Sequence, residues 1–221
     1  PLWMPRIGSV RTPRRGQAMR KASFDHAGII LSEHKSVSLR GSVDSPVLDV
    51  DGASIVSDRV LIAAGAWTTS ILSPLGIKCP IKPMKGQMLL FAPSDLISRV
   101  VLANGRYAIP RMDGRIVFGS TLEDVGFERL PDQMAFEDLY SSALLLIPDL
   151  SNFPLELQWA GFRPGSPNGT PWIGALSARL WVNAGHYRNG VVLGPASARL
   201  IADLMVDRAP CVDPSPFKPK D

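Results

Sequence analysis

Residues 158–196, QWAGFRPGSPNGTPWIGALSARLWVNAGHYRNGVVLGPA, constrain the fold more than any other part of the chain. They set a lone arginine, Arg163, among apolar residues and turn formers (Gly161-Phe162-Arg163-Pro164-Gly165). An apolar run over residues 180–184 then leads into Gly185-His186-Tyr187-Arg188-Asn189-Gly190, and a helical pattern starts between Gly190 and Pro195. A strand that delivers a glycine-flanked loop to a helix N-terminus builds a place for negative charge, because the first N–H groups of a helix have no internal partner. Two arginines beside such a loop suit a carboxylate or phosphate. The residues alone leave a second reading equally open, a Gly/Pro-rich surface connection with solvated arginines.

Composition narrows the class. With 221 residues the chain can bury a real core, as one large domain or two small ones. At 45% hydrophobic and 20% charged it reads as globular, and no apolar run approaches the roughly 20 residues of a membrane span. No signal-peptide pattern opens it, so a cytoplasmic setting is expected. The net charge of +4 owes much to Arg6, Arg11, Arg14, Arg15, Arg20 and Lys21. No aromatic residues interleave this cluster, which favours a solvated helix face over nucleic-acid contact. Cys79 and Cys211 lie far apart and read as free structural thiols. His26, His34 and His186 form no ligand cluster, so no metal is expected.

In chain order, Thr12-Pro13 predicts a helix start, with the helix over residues 15–27 and Gly28 as its stop. A strand should begin at residues 29–31 and end near Val37. Asp51-Gly52 predicts a hairpin between residues 47–50 and 53–56. Residues 59–63 read as a strand buried on both faces, and Ala64-Gly65-Ala66 opens a helix that Gly76 stops. Short strands are expected over 88–91, 100–102, 107–109 and 116–118, a helix over 131–147, and a strand over 155–162. The strand at 180–184 and a helix over 195–206 complete the pattern, and the proline-rich tail from Ala209 is expected to be weakly ordered.

AGFRPGSPNGTPWIG followed by WVNAGHYRNGVVLGPASARLIADL resembles the C-terminal signature of the FAD-dependent D-amino acid oxidase family, and in particular its glycine oxidase, thiamine-pathway branch. Two upstream stretches agree in order: VLIAAGAW at 60–67, and YAIPR at 107–111 continued by DGRIVFGST at 113–121. The resemblance implies a mixed α/β fold. A discontinuous, partial FAD-binding α/β domain (1–76 and 178–221) would carry an inserted antiparallel-sheet substrate domain (77–177). The family's opening GxGxxG turn, which holds the FAD pyrophosphate, is absent from these residues, so the chain resembles the C-terminal part of such a flavoenzyme.

The implied reaction oxidises glycine or another small amino acid or amine to the imino acid, then the oxo acid and ammonia. Oxygen is the final acceptor and hydrogen peroxide its product. By resemblance, Arg163 holds the substrate carboxylate, Tyr107 faces the substrate, and Arg188 assists the carboxylate or lines the entrance. From the residues alone, Arg163 could instead pair with a carboxylate such as Glu156, and Tyr107 could be a strand core residue. On the cofactor side, Gly185, His186, Tyr187, Arg188, Asn189, Gly190 and Val191 would face the flavin pyrimidine. Val37 would touch the adenine, and Ala64, Gly65 and Trp67 would line the nucleotide. Asn168 stands where the family often has aspartate, which leaves a role there open. Gly161-Phe162-Arg163 occupies the stretch where a related branch carries a flavin-linking cysteine, so non-covalent FAD is implied. The alternatives are a non-catalytic remnant, or a split subunit whose missing segment comes from a partner chain; a homo-oligomer also remains open. Without a GxGxxG turn, residues 1–221 should bind FAD far more weakly than a full-length relative. Equilibrium dialysis that returned tight, stoichiometric FAD binding by this chain alone would refute that expectation.

Overall fold

The computed structural model describes residue 4 and residues 8–220. It opens with helix α1 (Thr12–Phe24), followed by strands β1 (Val37–Gly41), β2 (Pro46–Val50), β3 (Ala53–Ile55) and β4 (Val60–Ile62). A 3₁₀ turn over Gly65–Trp67 runs into the short helix α2 (Thr68–Leu72). Strands β5 (Lys82–Phe91), β6 (Val101–Ala103), β7 (Arg106–Pro110) and β8 (Ile116–Gly119) precede helix α3 (Gln133–Leu146). Strands β9 (Leu155–Gly165), β10 (Trp172–Ala175) and β11 (Leu180–Ala184) lead to helix α4 (Gly190–Met205). The chain forms two compact units. One holds the described residues up to Ile29 with Lys85–Gly161, and the other holds Ile30–Met84 and the described residues from Phe162 onward.

In the first unit a five-stranded sheet runs in the order β6-β7-β8-β5-β9. The β6–β7, β7–β8 and β8–β5 pairs are antiparallel. Side chains alternate across a strand, so Ile116 and Phe118 share a face. They join Leu89, Phe91 and Ala108 in a core closed by Leu139 and Ala143 of α3 and by Leu150. Ala135, Leu139 and Ala143 recur every four residues and bury one stripe of the helix. Asp132 caps that helix, its Oδ1 accepting from the Ala135 N–H at 2.9 Å. This bond, followed by one from Gln87, holds the Asp132 carboxyl below its usual range.

A polar knot sits beside the cap. Lys85 is 2% exposed, and its Nζ lies 3.3 Å from Asp132 and 3.5 Å from Glu123. Gln87, fully buried, donates through Nε2 to Glu123 at 3.0 Å and also to Asp132. Its Oε1 accepts from the Asp132 N–H and from Gln158 Nε2. A buried ammonium is costly unless charge and hydrogen bonds surround it, and here two carboxylates do so.

In the second unit β1-β2-β3 form an antiparallel sheet, with Asp51 (φ 51°) and Gly52 (φ 86°) turning the predicted hairpin. A separate three-stranded sheet has the order β10-β11-β4. Its β10–β11 pair is antiparallel, while β4 lies parallel to β11 with Ile62 opposite Val182. Val60, Ile62, Leu180 and Val182 bury into one cluster with Leu39 and Leu72. On α4, Leu200 and Ile201 pack on Ile173, joined by Leu204 and Phe217.

Several expectations need correction. Residues 29–36 form no strand, and Val37 begins β1 instead of ending one. Strand β4 alternates in burial and leaves Leu61 39% exposed, since among the described residues no strand pairs on its far side. Residues 161–165 belong to β9 and are extended instead of turning. Trp172–Ala175, unassigned from sequence, is a strand, and α4 begins at Gly190 with Pro195 inside it. The tail is packed, with Phe217 against Ile173, Leu200 and Ile201. The compact units break after Ile29, Met84 and Gly161. The ladder from β10 to β11 keeps β10 with the second unit.

Because Leu139 is fully buried and Met134 is 80% exposed on the same helix, their alanine variants should separate cleanly. Leu139→Ala should lower unfolding free energy by about 2–5 kcal/mol. Met134→Ala should change it by no more than about 0.5 kcal/mol. Urea unfolding followed by far-ultraviolet circular dichroism measures both.

Candidate functional site

Parallel strands present their carboxyl ends on one edge, and in open α/β sheets ligands bind there. Strand β4 ends at Ile62 and its parallel neighbour β11 ends at Ala184. The segments that follow them, Ala64–Trp67 and Gly185–Gly190, therefore leave the same edge of the sheet. These are the two segments expected from sequence to line the nucleotide and to face the flavin pyrimidine. Thr68, fully buried, bonds the Gly65 carbonyl at 2.8 Å and fixes the first turn. Trp67 stands 47% exposed and meets Phe162 edge-on, with ring centroids 6.0 Å apart.

The second segment is laced to the end of β9. Ser166 Oγ donates to the Gly185 carbonyl at 2.8 Å, and the Tyr187 N–H donates to the Pro164 carbonyl at 2.9 Å. Two glycines permit this approach. A Cβ on Gly165 would lie 2.5 Å from Met84 Cγ, and Gly185 (φ 86°) would bring one to 3.1 Å from Ile81. Arg163 is half-buried on β9, one residue before the laced Pro164. Both oxygens of Glu156, a partner considered for Arg163 from sequence, are held by Arg115 at 2.6 and 3.1 Å.

Helix α4 starts from Asn189 without a side-chain cap and with no acidic residue in its first turn. A helix start with neither a side-chain cap nor an acidic residue favours an anion nearby. Arg188 is exposed beside it and makes no hydrogen bond or ion pair among the described residues. His186 is half-buried, its Nε2 has no partner there, and burial pushes its imidazole below the usual value. Gly190 and Val191 are exposed in the first turn.

The structure thus collects Ala64, Gly65, Trp67, Arg163 and the 185–191 segment in one unit. Val37 is in that unit too, but on the separate β1-β2-β3 sheet, 43% exposed. Tyr107 is in the other unit, half-buried on β7, on the face opposite that of its neighbour Ala108, which enters the α3-covered core. Sequence reasoning missed Ser166, Ile81 and Phe162 as supports. Only Ser166 left a signal, as the hydroxyl inside the Pro164-Gly165-Ser166-Pro167 run. Among the described residues no group of three or more His, Cys, Asp or Glu side chains could hold a metal, and no helix is long and apolar enough to cross a membrane.

Residues 2–204 match the family model described as FAD dependent oxidoreductase (DAO). The chain is 45% identical to glycine oxidase of Pseudomonas aeruginosa over 223 residues, which cover 99% of this chain and 61% of that protein. It is 38% identical over 160 residues to the bifunctional protein ThiO/ThiG of Trichormus variabilis, covering 70% of this chain and 24% of that one. The crystal structure of glycine oxidase from Geobacillus kaustophilus superposes with a TM-score of 0.80 at 33% identity, over 87% of this chain and 53% of that one. The chain therefore spans less than two thirds of each of these relatives, and what it spans of the glycine oxidases is their C-terminal part.

The lacing predicts unequal costs for two glycines. Gly185→Ala needs a left-handed residue and crowds Ile81, and should lose about 1–3 kcal/mol of stability. Gly190→Ala has ordinary backbone and meets only His186 Cβ at 3.5 Å, so it should be neutral or slightly stabilising. Thermal unfolding of the two variants side by side checks the order.

Proposed function

Since the chain belongs to the FAD-dependent oxidoreductase (DAO) family, we propose that it forms the flavin-facing and carboxylate-holding part of an oxidase acting on glycine or another small amino acid. The observation that carries this reading is the lacing of the Arg163-bearing end of β9 to the loop ahead of α4. It supports a rigid site in which a cation and an uncapped helix start serve one ligand.

The residues present fit a flavin. Backbone approach is free at Gly65, and the uncapped start of α4, with no acidic residue in its first turn, suits a ring edge that gains negative charge. Bound FAD would supply the electron acceptor. Residues 185–191 would hold its pyrimidine side; Ala64, Gly65 and Trp67 its nucleotide side; and Val37 its adenine. Non-covalent attachment is supported by Cys79, buried in a core cluster, and by Cys211, exposed in the tail.

Arg163 would grip the substrate carboxylate through its planar fork and set the α-carbon against the acceptor. Arg188 would add a second cation at the entrance, and Tyr107 would face the substrate. Oxygen as final acceptor, hydrogen peroxide as product and a cytoplasmic setting belong to the same proposal. The unpaired side of β4, with Leu61 exposed by 39%, supports a further reading. A segment equivalent to the remaining part of the relatives, in the same polypeptide or from a partner chain, would cover this edge and bring the phosphate-binding turn.

The test uses a polypeptide in which a GxGxxG segment precedes these residues and FAD is bound. Arg163→Ala should weaken amino-acid binding by about 2–5 kcal/mol. Arg163→Lys should keep part of the affinity yet slow flavin reduction, because a point charge lets the substrate pivot. Anaerobic flavin reduction by glycine, D-alanine, sarcosine and a simple amine reads both effects, and the amine should be indifferent. Unchanged rate and affinity in Arg163→Ala would transfer the anchoring role to Arg188.

A further inference from the structure

A surface pocket of about 370 Å³ in the first unit gathers four guanidinium groups from two elements distant in sequence. Arg11, Arg14 and Arg15 come from the start of α1, and Arg111 from the end of β7; Pro110 and Met112 form its apolar wall. No carboxylate lines it. Asp113, beside the pocket, is shared between Arg11 at 3.4 Å and Arg115 at 3.7 Å. Arg14 reaches only the sulfur of Met112, at 3.8 Å. The Arg111 backbone bonds Arg115 and Gly114, but its guanidinium makes no hydrogen bond or ion pair among the described residues; burial followed by the charge of Arg11 pushes that guanidinium below the usual value.

The same end of α1 lacks a side-chain cap and carries no acidic residue in its first turn. Arginines at the positive end of a helix oppose its dipole unless an anion sits among them. A folded chain holds like charges so close only where they cost little or have a use. Here the crowding is inside a concavity large enough for a small ligand.

We propose that this pocket binds a small phosphate-bearing molecule, with Arg14 and Arg111 ligating the phosphate oxygens and Arg11 completing the cage from its contact with Asp113. A phosphate dianion neutralises two guanidiniums at once and accepts from both forks, which a single carboxylate does less well. The site is separate from the residues assigned to flavin and amino acid, and it does not depend on that assignment.

Isothermal titration calorimetry of this chain with inorganic pyrophosphate, at fixed ionic strength, tests it. One saturable site is expected, weakened about tenfold or more by either Arg14→Gln or Arg111→Gln and abolished in the double variant. Arg129→Gln, which removes the same charge elsewhere, should change affinity by no more than about twofold. Circular dichroism shows whether the variants keep the fold. Binding that survives the double variant, falls equally in Arg129→Gln, fails to saturate, or appears only with a single-stranded oligonucleotide overturns the proposal.

Discussion

Two hydrogen bonds, from Ser166 Oγ to the Gly185 carbonyl and from the Tyr187 N–H to the Pro164 carbonyl, hold the end of β9 against the loop that starts α4. Each contributes only about 0.5–1.5 kcal/mol net, but Ser166 and Gly185 are buried, so an unmade partner there would cost more than the bond is worth. The backbone can come this close because Gly165 has no Cβ to strike Met84 and Gly185 has none to strike Ile81. Arg163 and the helix start are therefore positioned by main chain, which moves less than side chains do. A site built this way is preorganised before any ligand arrives.

The other unit relies on charge where this one relies on close approach. Lys85, Gln87, Glu123, Asp132 and Gln158 satisfy one another around a buried ammonium, and Asp132 also caps α3. Such a knot contributes little net stability against an apolar replacement, but it has few alternative arrangements. It ties the helix N-terminus to two strands of the sheet in one register. Tyr107, on the sheet face turned away from that helix, inherits its position from the same register.

Much of this was legible in the sequence because the signals were local. The Asp51-Gly52 turn, the stop at Gly76 (φ 75°), the existence of α3 and β11 all follow from residue chemistry within a few positions. The candidate site segments stand out for the same reason, since glycines and arginines mark them directly. What failed depended on partners elsewhere in the chain. Residues 161–165 read as a turn from their Gly/Pro content, yet β9 extends through them, and β10 was missed because only its ladder to β11 makes it a strand. Leu61 was expected to be buried on the strength of an unbroken apolar run, but burial needs a neighbour and none of the described strands supplies one. The arginines of α1 were read as a solvated face. Arg111, far away in sequence, is what turns part of that face into a pocket.

The parallel pairing of β4 with β11 bears on how the chain reaches its native state. Val60 and Leu180 are opposite one another although about 120 residues separate them, and nearly all of the first unit's sheet and α3 lie in the interval. Closing so long a loop is entropically expensive, and contacts of high sequence separation slow folding. During synthesis β4 leaves the ribosome well before its partner exists, while the intervening sheet, whose turns are local, can already assemble. The strand that leads into the Ala64–Trp67 turn thus waits as an exposed apolar segment until β11 is made. The rate at which β11 docks, more than the strength of any finished contact, then decides whether the chain folds or aggregates.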